Sequence, residues 1–152
     1  MTSPTGAKIA EFFQGLIEQR LGINVKVDQQ TFKQYLQKVR AGDFDLALSS
    51  WYPDYGDIAT YADLLASWNP NNRGGYDSEA YDQHLQTVLR STDRQARMDA
   101  AFELHKLIKR DVPVLPMAET GSAYVVHPQL RGVVRRVIGA DPDYTGAQII
   151  SK

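Results

Sequence analysis

The first fifty residues switch hydrophobic period repeatedly, and this constrains the fold more than any single residue does. Ile9, Phe12, Phe13, Leu16 and Ile17 recur at helical spacing, which predicts a helix from about Gly6 to Leu21 with Ser3 or Thr5 as its cap. Ile23, Val25 and Val27 then alternate with Asn24, Lys26 and Asp28, the period of a strand with one polar face. Phe32, Tyr35, Leu36 and Val39 return to helical spacing, with Thr31 suited to the N-cap and Gly42 to the stop. Phe44 to Leu48 follows as a short apolar run expected to be a buried strand. Helix, strand, helix, strand with short joins predicts an α/β layer with parallel pairing.

That last run leads into Ser49, Ser50, Trp51, Tyr52, Pro53, Asp54 and Tyr55. Pro53 restricts Tyr52 to extended backbone and opposes immediate helix formation. The outcome is an aromatic, acidic loop after a predicted strand, where α/β proteins often place ligands. Asp54 could meet a cationic group while the neighbouring rings bury apolar surface. A rigid turn with its rings packed into the local core is an equally available reading of the same residues.

Further along, Ile58, Tyr61, Ala62, Leu64 and Leu65 predict a short helix, and Ala66 to Gly75 reads as a loop dense in Asn, Pro and Gly. Trp68 inside it is expected to anchor the loop or to line a ligand. Ser78 caps a predicted helix ending near Arg90, and Thr92 or Asp93 begins another containing Met98, Phe102, Leu104 and Ile108. Arg97 and Lys106 are expected on the surface, and Lys109-Arg110 complements the helix dipole. The prolines of Asp111 to Ala118 exclude a central strand there. Ser122 to His127, Val133 to Ile138 and Gln148 to Ile150 are strand candidates. No internal repeat or domain boundary is visible, so residues 1–152 are expected to form a single domain.

Composition removes several functions. A net charge of -1 without a basic tract gives no nucleic-acid signal, and the absence of cysteine excludes a disulfide framework. His84, His105 and His127 are scattered, so neither a metal site nor any other cofactor is indicated. Ser49, Ser50, Asp54 and His127 are residue types of a hydrolase triad, but neither serine has a nucleophile-elbow pattern, so no enzyme is expected. Asp54 with Asp57 could imitate a carboxylate pair, and Arg135-Arg136 reads as a solvated face. No apolar run reaches transmembrane length, and Met1 to Pro4 lacks the features of a signal peptide.

In order, several strings carry a resemblance. They are Gly42-Asp43-Phe44-Asp45-Leu46-Ala47-Leu48-Ser49-Ser50-Trp51-Tyr52-Pro53-Asp54-Tyr55, then Asn71-Asn72-Arg73-Gly74-Gly75-Tyr76, Ser78-Glu79-Ala80-Tyr81-Asp82, Ile108 to Pro116, and Ala123 to Gly132. Taken together, the chain resembles the C-terminal part of the oligopeptide- and dipeptide-binding proteins of ABC importers, the family 5 extracellular solute-binding proteins. The resemblance implies a periplasmic-binding-protein-like lobe, α/β, with a mixed sheet flanked by helices. It implies most of the C-terminal lobe of a longer two-lobe protein, with an N-terminal lobe and an export signal on a preceding segment.

By the same resemblance, Asp54 matches the acidic position that pairs with a peptide's α-ammonium group, and Trp51 and Tyr52 match the adjacent cleft wall. Ser49 and Ser50 would supply hydrogen bonds, and Asn72, Arg73 and Gly74 fall in a loop near the cleft. Arg73 departs from the family's usual Asn-Gly-Gly. Nickel and sugar binders also occur in the broad family, but Asp54 favours peptides. The implied partners are a short peptide, permease subunits and the N-terminal lobe; the implied location is extracytoplasmic, periplasmic or lipid-anchored. A stand-alone protein-interaction module without a transport role is the alternative.

Overall fold

The computed structural model describes residues 4–119, 121, 123–136, 138 and 142–150. The chain forms two compact units, Met1–Ser50 with Arg73–Gly75, and Trp51–Asn72 with Tyr76–Lys152. No shift of composition marks the division.

In the first unit, α1 spans Pro4–Leu21 and α2 spans Phe32–Ala41. Proline is tolerated in a first helical turn, where no intrahelical acceptor awaits its missing N–H. The α2 start is a capping box: Thr31 Oγ1 accepts from the Gln34 N–H while Gln34 Oε1 accepts from the Thr31 N–H at 3.1 Å. Gly42 closes the helix at φ 70°, a left-handed conformation that a side chain would strain. Lys38 reaches Asp28 at 2.6 Å and Asp43 at 3.7 Å across the two ends of α2, but these groups are exposed and the pairs contribute little.

The expected strand at Ile23, Val25 and Val27 joins no ladder. Side chains of α1 take its backbone groups instead. The Gln14 amide donates to the Val25 carbonyl at 2.6 Å, and the Val25 N–H donates to Glu18 Oε1 at 3.1 Å. Phe44 to Leu48 likewise forms no strand, and Leu46 is 70% exposed rather than buried. Alternation selects a face; a strand also needs a neighbouring backbone, and no described segment supplies one here. A groove of about 760 Å³ is lined by Glu11, Gln14, Val25 and Val27.

The second unit holds the larger core. Here α3 is Ala59–Ala62, followed by a 3₁₀ turn at Asp63–Leu65; α4 is Glu79–Arg90 and α5 is Arg94–Asp111. Ser78 caps α4 by accepting from the Tyr81 N–H, and Asp93 caps α5 by accepting from the Gln95 and Ala96 N–H groups. Tyr81, Leu85 and Val88 of α4 and Ala100 and Leu104 of α5 close against Ala59, Ala62 and Ala66. The Tyr81 hydroxyl, wholly inside, donates to the Ala62 carbonyl at 2.9 Å, and burial pushes the phenol up from its ordinary range. Small residues on α3 let α4 approach closely enough for that bond. Val112, at φ 49°, and Pro113 end α5.

Arg97 is half-buried, and its guanidinium is engaged rather than freely solvated. Its Nε donates to the Val88 carbonyl at 2.9 Å and its Nη2 to Asp57 Oδ2 at 2.6 Å. Asp57 Oδ1 also accepts from the Ala59 N–H at 2.9 Å. That backbone donor, and then the guanidinium, hold the Asp57 carboxyl below its ordinary range. At the far end of α5, Arg110 and the Tyr76 hydroxyl both donate to Asp111, lowering its carboxyl to about 2.

Among the described residues, the sheet is two-stranded and antiparallel, not the mixed sheet with parallel pairing that the sequence suggests. It joins β1, Leu130–Arg131, to β2, Gln148–Ile149. Val134 and Asp143 add an isolated antiparallel bridge. Of the three late strand candidates, Gln148 to Ile150 supplies β2, and Val134 alone of its run pairs. Residues 123–127 form no ladder, with Val125 fully exposed; Ser122 and Val137 lie outside the described residues. Gly132 turns the chain after β1 at φ 74°, and a Cβ there would stand 2.0 Å from the Gly146 carbonyl oxygen. The pair therefore depends on glycine at position 132.

Two outcomes follow from the second unit. Leu85→Ala removes a wholly buried side chain and should lower unfolding stability by about 2–5 kcal/mol in urea titration. Asp57 has a depressed folded pKa, so its stabilisation is complete above the unfolded value of about 3.9 and disappears as pH falls through the lower folded value. The urea midpoint of wild type should therefore exceed that of Asp57→Asn at neutral pH, and the gap should close in acid.

Candidate functional site

Trp51, Tyr52, Asp54 and Asn72 lie in the second unit, and Ser49, Ser50, Arg73 and Gly74 are grouped with the first. Ser49, Ser50 and Gly74 are exposed, and Arg73 is half-buried. The groove beside Val25 includes none of these residues.

The Trp51 to Tyr55 segment is held from below. The Asp54 N–H donates to Thr60 Oγ1 at 3.1 Å, and Thr60 is 5% exposed within the core. Backbone bonds from Asp57 N–H to the Tyr55 carbonyl and from Thr60 N–H to the Asp57 carbonyl tighten the turn. Above this support the side chains face outward. Trp51 is 37% exposed and Tyr52 71%, while Pro53 is half-buried. Among the described residues, no group pairs with the Asp54 carboxylate.

The two acidic residues of this loop therefore differ in kind. Asp57 is occupied by Ala59 and Arg97; Asp54 offers a carboxylate to solvent on a fixed backbone. A carboxylate of the second kind can accept hydrogen bonds from a ligand ammonium or guanidinium without first losing an internal partner. The exposed rings beside it can cover the apolar part of such a ligand.

Asn72 has a different task from the one its loop position suggests. Its amide donates to the Ala66 carbonyl at 3.1 Å and the Tyr76 carbonyl at 2.7 Å, and accepts from the Tyr76 N–H at 3.0 Å. These bonds use its donors and an acceptor to close the loop onto itself. Trp68, in the same loop, is 49% exposed. The sequence reading missed Thr60 and Arg97 as supports of the loop. Thr60 gave the stronger hint, as a hydroxyl among the apolar residues of a short helix. Among the described residues, no group of three or more His, Asp or Glu side chains could hold a metal ion.

Comparison with known proteins is consistent along the chain. Residues 1–73 match the family described as bacterial extracellular solute-binding proteins, family 5 Middle. The dipeptide-binding protein DppE of Bacillus subtilis (strain 168) is 27% identical over 91% of this chain and 25% of its own length. The periplasmic murein peptide-binding protein MppA of Escherichia coli (strain K12) is 28% identical over 86% of this chain and 24% of its own. Among solved structures, the substrate-binding domain of an oligopeptide ABC transporter from Bacillus anthracis str. Ames superposes with a TM-score of 0.80. That match is 27% identical and covers 95% of this chain and 29% of the other. The fold is thus that of an α/β lobe of peptide-binding proteins. The chain spans about a quarter of the length of these curated relatives. It is similar to the family 5 bacterial extracellular solute-binding proteins over residues 1–73, and to peptide-binding proteins over most of its length.

Proposed function

We propose that this chain supplies one side of the peptide cleft in the substrate-binding component of an ABC peptide importer. The observation that carries the reading is the exposed carboxylate of Asp54, without a partner among the described residues, on a braced loop with Trp51, Tyr52 and Tyr55. Every unblocked peptide has an α-ammonium group. A carboxylate that binds this shared feature tolerates many side-chain sequences. Trp51 and Tyr52 form the apolar wall. Asn72 acts by shaping its loop.

In this reading residues 1–152 are most of a C-terminal lobe. An N-terminal lobe closes over the peptide, and the loaded protein presents it to membrane permease subunits. The parent protein works outside the cytoplasm, in a periplasm or on a lipid anchor, and makes or breaks no bond. The exposed Ile9, Phe12 and Leu16 of α1 give the lobe an apolar surface on which further protein can pack.

One lobe makes only part of the contacts, so affinity in isolation is weak. The test is titration of the chain with trialanine and N-acetyl-trialanine, followed by NMR. The free-amine peptide should bind about tenfold more tightly, the scale of one charge-assisted hydrogen bond. Asp54→Asn should remove the difference. Equal affinity for the two peptides overturns the assignment of Asp54, and tight binding of both by the isolated chain overturns the half-cleft reading.

A further inference from the structure

We propose that Thr60, Asp57 and Arg97 are positioning residues, a three-part brace that fixes the Asp54 backbone for ligand capture; this rests on the peptide reading of Asp54. The bonds run in sequence from the helical hairpin to the loop. Arg97 on α5 spans two acceptors, with Nε on the Val88 carbonyl of α4 and Nη2 on Asp57. Asp57 in turn holds the Ala59 N–H at the start of α3. The next residue, Thr60, accepts the Asp54 N–H. Asp57 and Arg97 are 40 residues apart in sequence, so the brace forms only when the core of the second unit is assembled.

Three features separate this brace from an incidental ion pair. Arg97 uses two nitrogens of a planar guanidinium, a geometry that lysine cannot reproduce. Thr60 is buried, so its hydroxyl has a fixed position rather than a solvent-averaged one. The chain of bonds ends on the backbone of the residue whose carboxylate has no partner among the described residues. Fixing that backbone before binding removes an ordering cost that the ligand would otherwise bear. Pro53 restricts the chain on the other side of the same residue.

The test uses the full chain in four forms: wild type, Thr60→Val, Thr60→Ser and Arg97→Lys. Two quantities are read. The first is hydrogen exchange at the Asp54 amide, with the Leu85 and Leu104 amides as controls for the hairpin. The second is the affinity ratio of trialanine to N-acetyl-trialanine. Thr60→Val and Arg97→Lys should speed Asp54 exchange about tenfold and reduce the ratio toward one, with the control amides unchanged. Thr60→Ser keeps the hydroxyl and should keep both values. If Thr60→Val disturbs the controls, Arg97→Lys carries the comparison alone.

Unchanged Asp54 exchange in an otherwise folded variant overturns the brace. Faster exchange with an unchanged ratio overturns its role in binding. A wild-type chain with a ratio of one overturns the peptide reading and this inference together. A selective wild type with equally selective variants overturns this inference only.

Discussion

The packing of α4 and α5 against the small residues of α3 is the constraint on which the second unit depends. Tyr81 makes the point most directly. Its ring is wholly buried, and its hydroxyl has one place to go, the Ala62 carbonyl. A buried hydroxyl without a partner costs about 1–3 kcal/mol, so the ring can enter only if α3 ends where that carbonyl is presented. Ala59, Ala62 and Ala66 leave the space that makes this approach possible. Asp82 adds a second tie by accepting from the Ser67 N–H at 3.1 Å and from its hydroxyl.

This core sets the state of the loop in front of it. Thr60 belongs to the buried face of α3, so the Asp54 N–H bonds to a group that the core has already fixed. Arg97 brings α5 into the same arrangement. The contrast between the two aspartates is therefore one of environment: Asp57 is held by a backbone donor and a guanidinium, while the Asp54 carboxylate has no partner among the described residues. The first unit is organised differently. Thr31 and Gly42 start and stop α2, and side chains of α1 rather than a neighbouring strand hold the Val25 backbone.

Much of the helical part was legible in the sequence because its determinants are local. Thr31 with Gln34, Ser78 and Asp93 are caps that act over three residues, and Gly42 adopts the left-handed stop that its position demands. Strands were far less legible. Ile23 to Val27, Phe44 to Leu48 and residues 123–127 all have strand-like composition, yet no ladder forms in them, because a ladder is a property of two segments. Leu130–Arg131 was not singled out as a strand; it pairs because Gly132, without a Cβ, lets the chain pass close to the Gly146 carbonyl.

The sequence by itself determined where α2 and α4 begin and end, and it marked Trp51 to Asp54 as an aromatic, acidic loop stiffened by proline. Those properties depend on residues close together along the chain. Tertiary structure alone decided that Asp57 is engaged while Asp54 has no partner among the described residues, that Arg97 bonds to Val88 and Asp57, and that Asn72 braces its own loop. Each of those outcomes depends on a donor or acceptor brought in by folding, often from a distant segment. Two carboxylates three positions apart look alike until the packing of α5 supplies one of them with a guanidinium.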